Sequence, residues 1–389
     1  MNRFKELFQL DPGVIFLNHG SFGACPKPVF AAYQAWQRRL EAQPVLFLGR
    51  EFTDLQLSAR QELGAYLGAE ANDLVYIPNA TYGVNIITHS LAIQPGDEIL
   101  TTDHEYGACD NTWEFICRKT GGKYLHQPVG LPVDSVETFV DQFWQGVSER
   151  TKLIFLSQIS SPTAQRLPVE AICQRAREAG ILTFIDGAHA PGQISLNLEA
   201  IGADFYTGNT HKWMLSPKGA GFLYARRAVQ PLIEPLVVSW GYSADEETST
   251  GNRFIDLLQW TGTHDPSAAL TVPAAIQFMQ EHHWDEVRQE CHALLSQALR
   301  CIQDMTGLPP AYTAGDQPCT LPPQLAIAEL PREADLVKLK AQLYDQFHIE
   351  IPLIEWNGRK FVRISIQAYN SQEDIDALVE ALRVLLYDL

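Results

Sequence analysis

The sequence predicts an α/β fold, with a large domain built on a mostly parallel seven-stranded sheet flanked by helices and a smaller α+β domain behind it. Three observations carry this expectation. From about Asn72 to Arg227, short apolar, β-rich runs alternate with amphipathic helical stretches, as in a doubly wound sheet. After "ARRAVQPL" that pattern yields to the Gly/Thr-rich "GYSADEETSTGNRF" and then to long helices from about Pro266 to Thr306. The chain's 389 residues also exceed what one simple core usually supports, which favours two lobes.

Taken in order, the strand candidate "LVYIP" leads into the helical run "TYGVNIITHSLA". "DEILTT" feeds the helix "GACDNTWEFICRKT", and "KYLHQ" follows. "KLIFLS" precedes the helix "PVEAICQRAREAG", which closes on Gly180, where a helix C-terminus favours a residue tolerant of positive φ. "ILTFID", "ADFYTG" and "GFLYA" complete the set. Strands alternating with helices in this way are expected to run parallel, joined by right-handed crossovers. Near the end "KFVRISIQ" reads as a strand and "SQEDIDALVEALRVLLYDL" as a closing helix, with no internal repeat or low-complexity segment along the way.

Hydrophobic residues make up 46% and charged residues 19% of the chain, enough to bury a substantial core. A formal net charge of -17, with no Lys/Arg cluster interleaved with aromatics, argues against nucleic acid as a partner. The cysteines (Cys25, Cys109, Cys117, Cys173, Cys291, Cys301, Cys319) are scattered without a C-x-x-C pair, which fits a reducing compartment and offers no zinc site. The N-terminal stretch has no long apolar run behind its basic residues, and no later run approaches a membrane span. The expectation is a soluble, cytoplasmic protein that binds no metal.

In doubly wound sheets, ligands bind beyond the carboxyl ends of the strands. "FIDGAHA" puts Asp186 at such an end, among apolar neighbours and with nothing in the run to neutralise it. Lys212 follows the next strand candidate, in the aromatic, low-charge run "FYTGNTHKWML". Adjacent strands lie about 5 Å apart, so the two side chains can grip opposite ends of one small aromatic ring. Pyridoxal 5'-phosphate calls for that pair. A carboxylate keeps its pyridine nitrogen protonated as an electron sink, and a lysine amine takes its aldehyde as a Schiff base. Taken singly, Asp186 reads equally as a helix N-cap or turn residue, and Lys212 as a surface charge. A phosphate site should accompany them. Asn79, Ala80 and Thr81 open a helix after "LVYI", where free N–H groups favour anions, although ordinary capping is the alternative. His211 reads as either a phosphate donor or a packed histidine.

The string from "LSQISSPT" through "FIDGAHA" and "GNTHKWMLSPKGAGFLYARR" resembles the class V aminotransferases, which are fold type I pyridoxal phosphate enzymes, and within them the isopenicillin N epimerase-like branch. "LNHGSFG", "DHEYGACDNTW", "WTGTHDPSAAL" and "FVRISIQAYN" extend the similarity over nearly the whole chain, in the family's order. The resemblance implies an N-terminal segment (1–30) contributing to the active site and small domain, a large cofactor-binding domain (31–265) and a small C-terminal domain (266–389). It also implies that Lys212 carries the cofactor as a Schiff base, that Asp186 pairs with the pyridine nitrogen, and that His189 contacts the ring hydroxyl with Ser161 nearby. Ala80, Thr81, Asn209 and His211 match phosphate-binding positions. Thr263 matches a residue that reaches the phosphate of the neighbouring subunit's cofactor, which implies a homodimer with shared sites. Tyr106 matches the residue stacked on the ring face, favoured over His104 by counting back from Trp113; as a plain aromatic it reads equally as a core residue on a helix's first turn.

Alternation in "KFVRISIQ" sets Phe361, Arg363 and Ser365 on one face and Val362, Ile364 and Ile366 on the other, so the arginine interrupts an otherwise apolar strand. A guanidinium fork suits a carboxylate. The family gives this position to the α-carboxylate of an amino-acid substrate, and a structural ion pair is the alternative.

The implied chemistry is amine exchange at Lys212, then loss of the α-proton to the freed lysine. An epimerase or racemase is the expected activity. A C–S lyase of the cysteine-conjugate or hercynylcysteine sulfoxide type, or an aminotransferase, is the alternative. His19, also a substrate-side candidate, Tyr106 and His264 are the possible second acids. Cysteine desulfurases need a nucleophilic cysteine on a loop before the arginine. No cysteine follows Cys319, and "FHIEIPLIEWNGRKFVRIS" is too short for that loop. The chain has no G-x-S-x-G elbow, no G-x-G-x-x-G after an early strand, no P-loop and no H-E-x-x-H. An inactive binding protein of the same fold is the non-enzyme alternative, and the joint presence of Asp186, Lys212 and Arg363 argues against it. Specificity is expected to lie in the N-terminal segment, the loop from Trp240 to Thr250 and a second subunit.

Overall fold

The computed structural model describes residues 4–245, 248–312 and 322–387. Cys319 and two positions of the Trp240–Thr250 loop, Glu246 and Glu247, lie outside the described residues. The strands in chain order are β1 (Ile15–Phe16), β2 (Leu74–Ile77), β3 (Glu98–Thr102), β4 (Lys123–Gln127), β5 (Thr151–Ser157), β6 (Leu182–Gly187), β7 (Phe205–Asn209), β8 (Gly221–Ala225), β9 (Leu325–Leu330), β10 (Ile349–Glu350), β11 (Leu353–Trp356) and β12 (Arg359–Ser365).

All the expected strands of the large sheet form, in the order β2-β8-β7-β6-β5-β3-β4. β8 departs from the expected parallel run by pairing antiparallel with both β2 and β7. The reason is its connection: no crossover helix lies between Asn209 and Gly221, and a parallel return needs one. Side-chain alternation splits the core between the two faces. Leu100, Ile154, Leu156, Ile185, Tyr206 and Phe222 join one cluster, and Ile99, Leu153, Phe155, Phe184, Phe205 and Leu223 the other. Both faces are covered, which is why these strands read as nearly continuous apolar runs. Ile172 and Ala176 of the helix Val169–Glu178 pack with the first cluster, and Val84 and Trp113 of the helices Ala80–Ser90 and Gly107–Thr120 with the second. The helix Val169–Glu178 stops as expected, with Gly180 at φ 71°.

A smaller antiparallel sheet, β11-β12-β9, carries Arg363 on its central strand. β1 pairs with β10 through Ile15↔Ile349, tying the N-terminal segment to this part of the chain. The expected helical stretch from Pro266 to Thr306 divides into Ser267–Leu270, Val272–Glu281 and Trp284–Thr306. Among the described residues, no helix is long and apolar enough to cross a membrane.

Candidate active site

Asp186, His189 and Lys212 cluster at or just beyond the ends of β6 and β7, with Arg363 of β12, Ser161 and Tyr106 beside them and Asn209 at the Ala80 helix; Thr263 and His264 show no contact with this group among the described residues. Asp186 is the penultimate residue of β6 and is buried; its Oδ1 accepts the Ala188 N–H at 2.8 Å and its Oδ2 the Cys109 thiol at 3.6 Å. Burial pushes this carboxyl above the ordinary aspartate range, against the Ala188 hydrogen bond and the charge of Lys212. The Lys212 Nζ lies 3.2 Å from His189 Nε2. Burial brings the amine down to about 8, with Arg363 adding to the effect and Asp186 opposing it. Such a lysine is still mainly the ammonium at about pH 7, but it offers far more free base there than an ordinary lysine, and the free base is the nucleophile toward an aldehyde.

Arg363 is the other buried charge. Its Nη1 donates to Ser161 O at 2.6 Å and Ser161 Oγ at 3.2 Å, and its Nη2 donates to Ser21 Oγ at 3.2 Å. Its Nε has no partner. Among the described residues no carboxylate forms an ion pair with it, which favours the substrate reading over the structural ion pair. Ser161, expected near the cofactor ring hydroxyl, holds the arginine with its carbonyl and hydroxyl. A buried cation ringed only by neutral oxygens is costly unless an anion joins it.

At the opening of the helix Ala80–Ser90, the capping expected of Asn79 is present. Asn79 caps by accepting the Tyr82 N–H at 2.9 Å, and Asn209 accepts the Ala80 N–H at 2.9 Å. These bonds leave the Thr81 N–H and hydroxyl to face an anion. His211 Nδ1 lies 2.9 Å from Ala220 O and so donates there, while burial, with Lys212 and Lys218 nearby, holds its ring down to about 4. Its Nε2 is then a lone pair, and donation to a phosphate requires His211 to gain a proton. Gly23, at φ 70°, passes so close to this segment that a Cβ would collide with the His211 carbonyl oxygen. Gly23→Ala is expected to destabilise the fold by about 1–3 kcal/mol from backbone strain alone, since φ 70° with ψ 167° is essentially a glycine-only conformation, with the collision adding to it. Denaturant unfolding measures the loss, and an unchanged midpoint would refute it.

Tyr106 is exposed at the N-terminus of the helix Gly107–Thr120, and its hydroxyl has no partner among the described residues. The core-aromatic alternative therefore fails. His104 is the buried member of that pair, bonded to Thr163 Oγ1 at 2.7 Å and Val129 O at 2.9 Å, with its ring 4.4 Å from that of Trp356. His19 corrects its expectation as a substrate-side residue. It is fully buried, with Nδ1 3.0 Å from the Tyr369 hydroxyl and Nε2 3.1 Å from Lys212 O, so it grips the lysine's backbone and has no ring nitrogen left for a substrate. Thr263 and His264 are exposed, and His264 Nδ1 lies 2.7 Å from Gly262 O.

Four residues in this cluster escape sequence reasoning. Glu105 is buried at the tip of β3; it accepts from Ser157 N at 2.9 Å, Ser157 Oγ at 2.6 Å and Thr102 Oγ1 at 2.7 Å, yet burial still pushes it up to about 7. Its place right after a strand was a usable signal. Cys109, Ser21 and Trp213 gave none, because their partners lie far away in sequence or turn on side-chain direction.

The family model for "Aminotransferase class-V" matches residues 15–321. The chain is 34% identical to an isopenicillin N epimerase of Amycolatopsis lactamdurans, over 98% of this chain and 97% of that protein. It is 29% identical to a probable chloroplastic L-cysteine desulfhydrase of Arabidopsis thaliana, over 99% of this chain and 85% of that one. The fold is similar to that of a cysteine desulfurase from Thermococcus onnurineus, with TM-score 0.81, 19% identity and coverage of 99% and 98% of the two chains.

Proposed function

The chain belongs to the class V aminotransferase family and its cofactor is pyridoxal 5'-phosphate, and on that premise we propose that it is an amino-acid epimerase or racemase acting at the α-carbon. The observation that carries an amino-acid substrate is Arg363: a buried guanidinium with an unpartnered Nε and, among the described residues, no carboxylate beside it suits an α-carboxylate. When bound, the cofactor supplies an electron sink that acidifies the Cα–H of an amino acid joined to its aldehyde carbon. Asp186 would hold the pyridine nitrogen, where a protonated ring would relieve the carboxylate of its isolation. Thr81, Asn209 and His211 would hold the phosphate, and His189 lies 3.2 Å from the Lys212 amine. The free amine of Lys212 would serve as the base on one face of the substrate.

Inversion requires a second acid on the opposite face. Of the three candidates, His19 has both nitrogens engaged and the exposed His264 packs its ring against Phe52 and Trp260, whereas Tyr106 lies near Arg363 with an unengaged hydroxyl. Tyr106→Phe is expected to keep deuterium exchange at Cα in deuterated water while losing inversion, read by proton NMR and chiral analysis over a panel of L-amino acids. Full inversion by the variant would remove Tyr106 from that role.

The similarity to a cysteine desulfhydrase supports a second reading, a C–S lyase. The β11–β12 hairpin turns tightly at Asn357 and Gly358 without a cysteine, which disfavours persulfide transfer but leaves β-elimination open. A keto acid with a released thiol in the same NMR panel would select it.

A homodimer completes the proposal. Trp240 (81% exposed), Val45 (71%) and Val238 (66%) are large apolar side chains on the surface, and the exposed Thr263 suits a role in a partner's site. Trp240→Glu is expected to convert a dimer into a monomer that retains less cofactor, as measured by light scattering and absorbance. A wild-type monomer at assay concentration would undo this part of the proposal.

A further inference from the structure

We infer that Trp213 is a positioning residue that holds His189 in the neutral tautomer carrying its proton on Nε2, so that a hydrogen-bond donor faces the amine of Lys212. The indole Nε1–H lies 3.3 Å from His189 Nδ1 within a fully buried contact. An indole N–H can only donate, so Nδ1 must accept, and a neutral imidazole with an accepting Nδ1 carries its proton on Nε2. That nitrogen is the one 3.2 Å from Lys212 Nζ. Facing an N–H, the lysine completes the hydrogen bond only with its lone pair. An ammonium would set donor against donor.

The other groups around the pair keep this arrangement in force. Burial holds His189 neutral, and Lys212, Arg363 and His19 all act in the same direction on its ring. Lys212 itself faces Asp186 from β6, Arg363 from β12 and Cys109 from the helix Gly107–Thr120, while His19 holds its carbonyl. Of these, Asp186 and Cys109 favour the ammonium, and Arg363 opposes it. The tautomer adds a directional preference for the free amine to the general effect of burial. The indole is fixed in turn: its ring centroid lies 4.9 Å from that of His19, and a Cβ at Gly20 would reach Trp213 Cζ2 at 3.3 Å. Trp213 therefore helps present Lys212 as a nucleophile and base without touching substrate.

This deepens the proposed function and rests on it only for the use made of Lys212, because the tautomer is legible in the full-length protein with or without cofactor. The test is 15N NMR of histidine-labelled protein, with His189→Gln identifying the His189 signals. The wild type is expected to show a neutral ring protonated at Nε2. In Trp213→Phe the proton is expected to redistribute toward Nδ1, and the pH midpoint for capture of pyridoxal phosphate by cofactor-free protein to rise by about one unit, the scale of one hydrogen bond. Should phenylalanine disturb the packing, 3-benzothienylalanine at position 213 keeps the indole's shape without its N–H, and the same shifts are expected. A wild-type ring protonated at Nδ1, or a tautomer indifferent to loss of the indole N–H, would overturn the inference, and an unmoved midpoint would overturn the coupling to Lys212. Failure of the proposed reaction with the tautomer as inferred would instead leave Trp213's role intact and count against the epimerase alone.

Discussion

Lys212→Ala is expected to lower turnover by at least about 10⁴-fold, the scale seen when a covalent nucleophile that also serves as base is removed. Two functions fall on the one amine, and no neighbour can replace it. Asp186 is a carboxylate held by Ala188 and Cys109, His189 is held neutral by burial, and Arg363 stays charged. Borohydride treatment of wild-type protein with pyridoxal phosphate should leave a reduced adduct on the peptide containing residue 212, and the variant none. An adduct that persisted in the alanine variant would place the cofactor on another lysine. The pH dependence follows from the same environment. The lysine's value is depressed from 10.5 to about 8, so the free amine predominates above that midpoint and is lost as the pH falls through it. The rate of cofactor capture by the cofactor-free chain should therefore climb with pH to a midpoint near 8 and then level, while a midpoint near 10.5 would mean that burial does not act on this group.

Arg363→Met has the second largest expected effect, and a diagnostic one. Loss of a buried, charge-assisted partner for a carboxylate costs about 2–5 kcal/mol, or from about 30-fold to several thousand-fold in kcat/KM. The loss should appear mainly as a raised KM for amino acids. Stability should move little, because the guanidinium meets only the neutral oxygens of Ser161 and Ser21, and burial already strains its charge down to about 10. Removing an isolated buried cation relieves a desolvation penalty that offsets the lost hydrogen bonds. A large fall in stability with unchanged KM would show that the arginine serves the fold and not a substrate. Arg363→Lys should resemble the methionine variant in KM, since a point charge cannot reproduce the guanidinium fork.

Much of this architecture was legible in the chain because its signals are local. Strands such as "KLIFLS" and "ILTFID" are short apolar runs between helical periods, and Gly180 marks a helix end through its own backbone freedom. Asp186 and Lys212 were legible for the same reason: each stands out against its immediate neighbours, and the alternation of strands and helices puts both at strand ends. The direction of β8 was not, because it turns on the missing crossover helix between Asn209 and Gly221.

The sequence by itself determined the fold class, which follows from periodicity, and the family, which its motifs resemble. Only the tertiary structure decided what each polar side chain is paired with. Cys109 reaches Asp186 across 77 positions, His19 reaches the Lys212 carbonyl across 193, and Ser21 reaches Arg363 across 342. His19 turned from a substrate candidate into a clamp on the lysine's backbone, and Arg363 into a cation with no carboxylate partner among the described residues, through contacts of that kind. The physical reason is that local sequence sets backbone conformation, whereas protonation, tautomer and free hydrogen-bonding capacity depend on burial and on partners that distant segments bring.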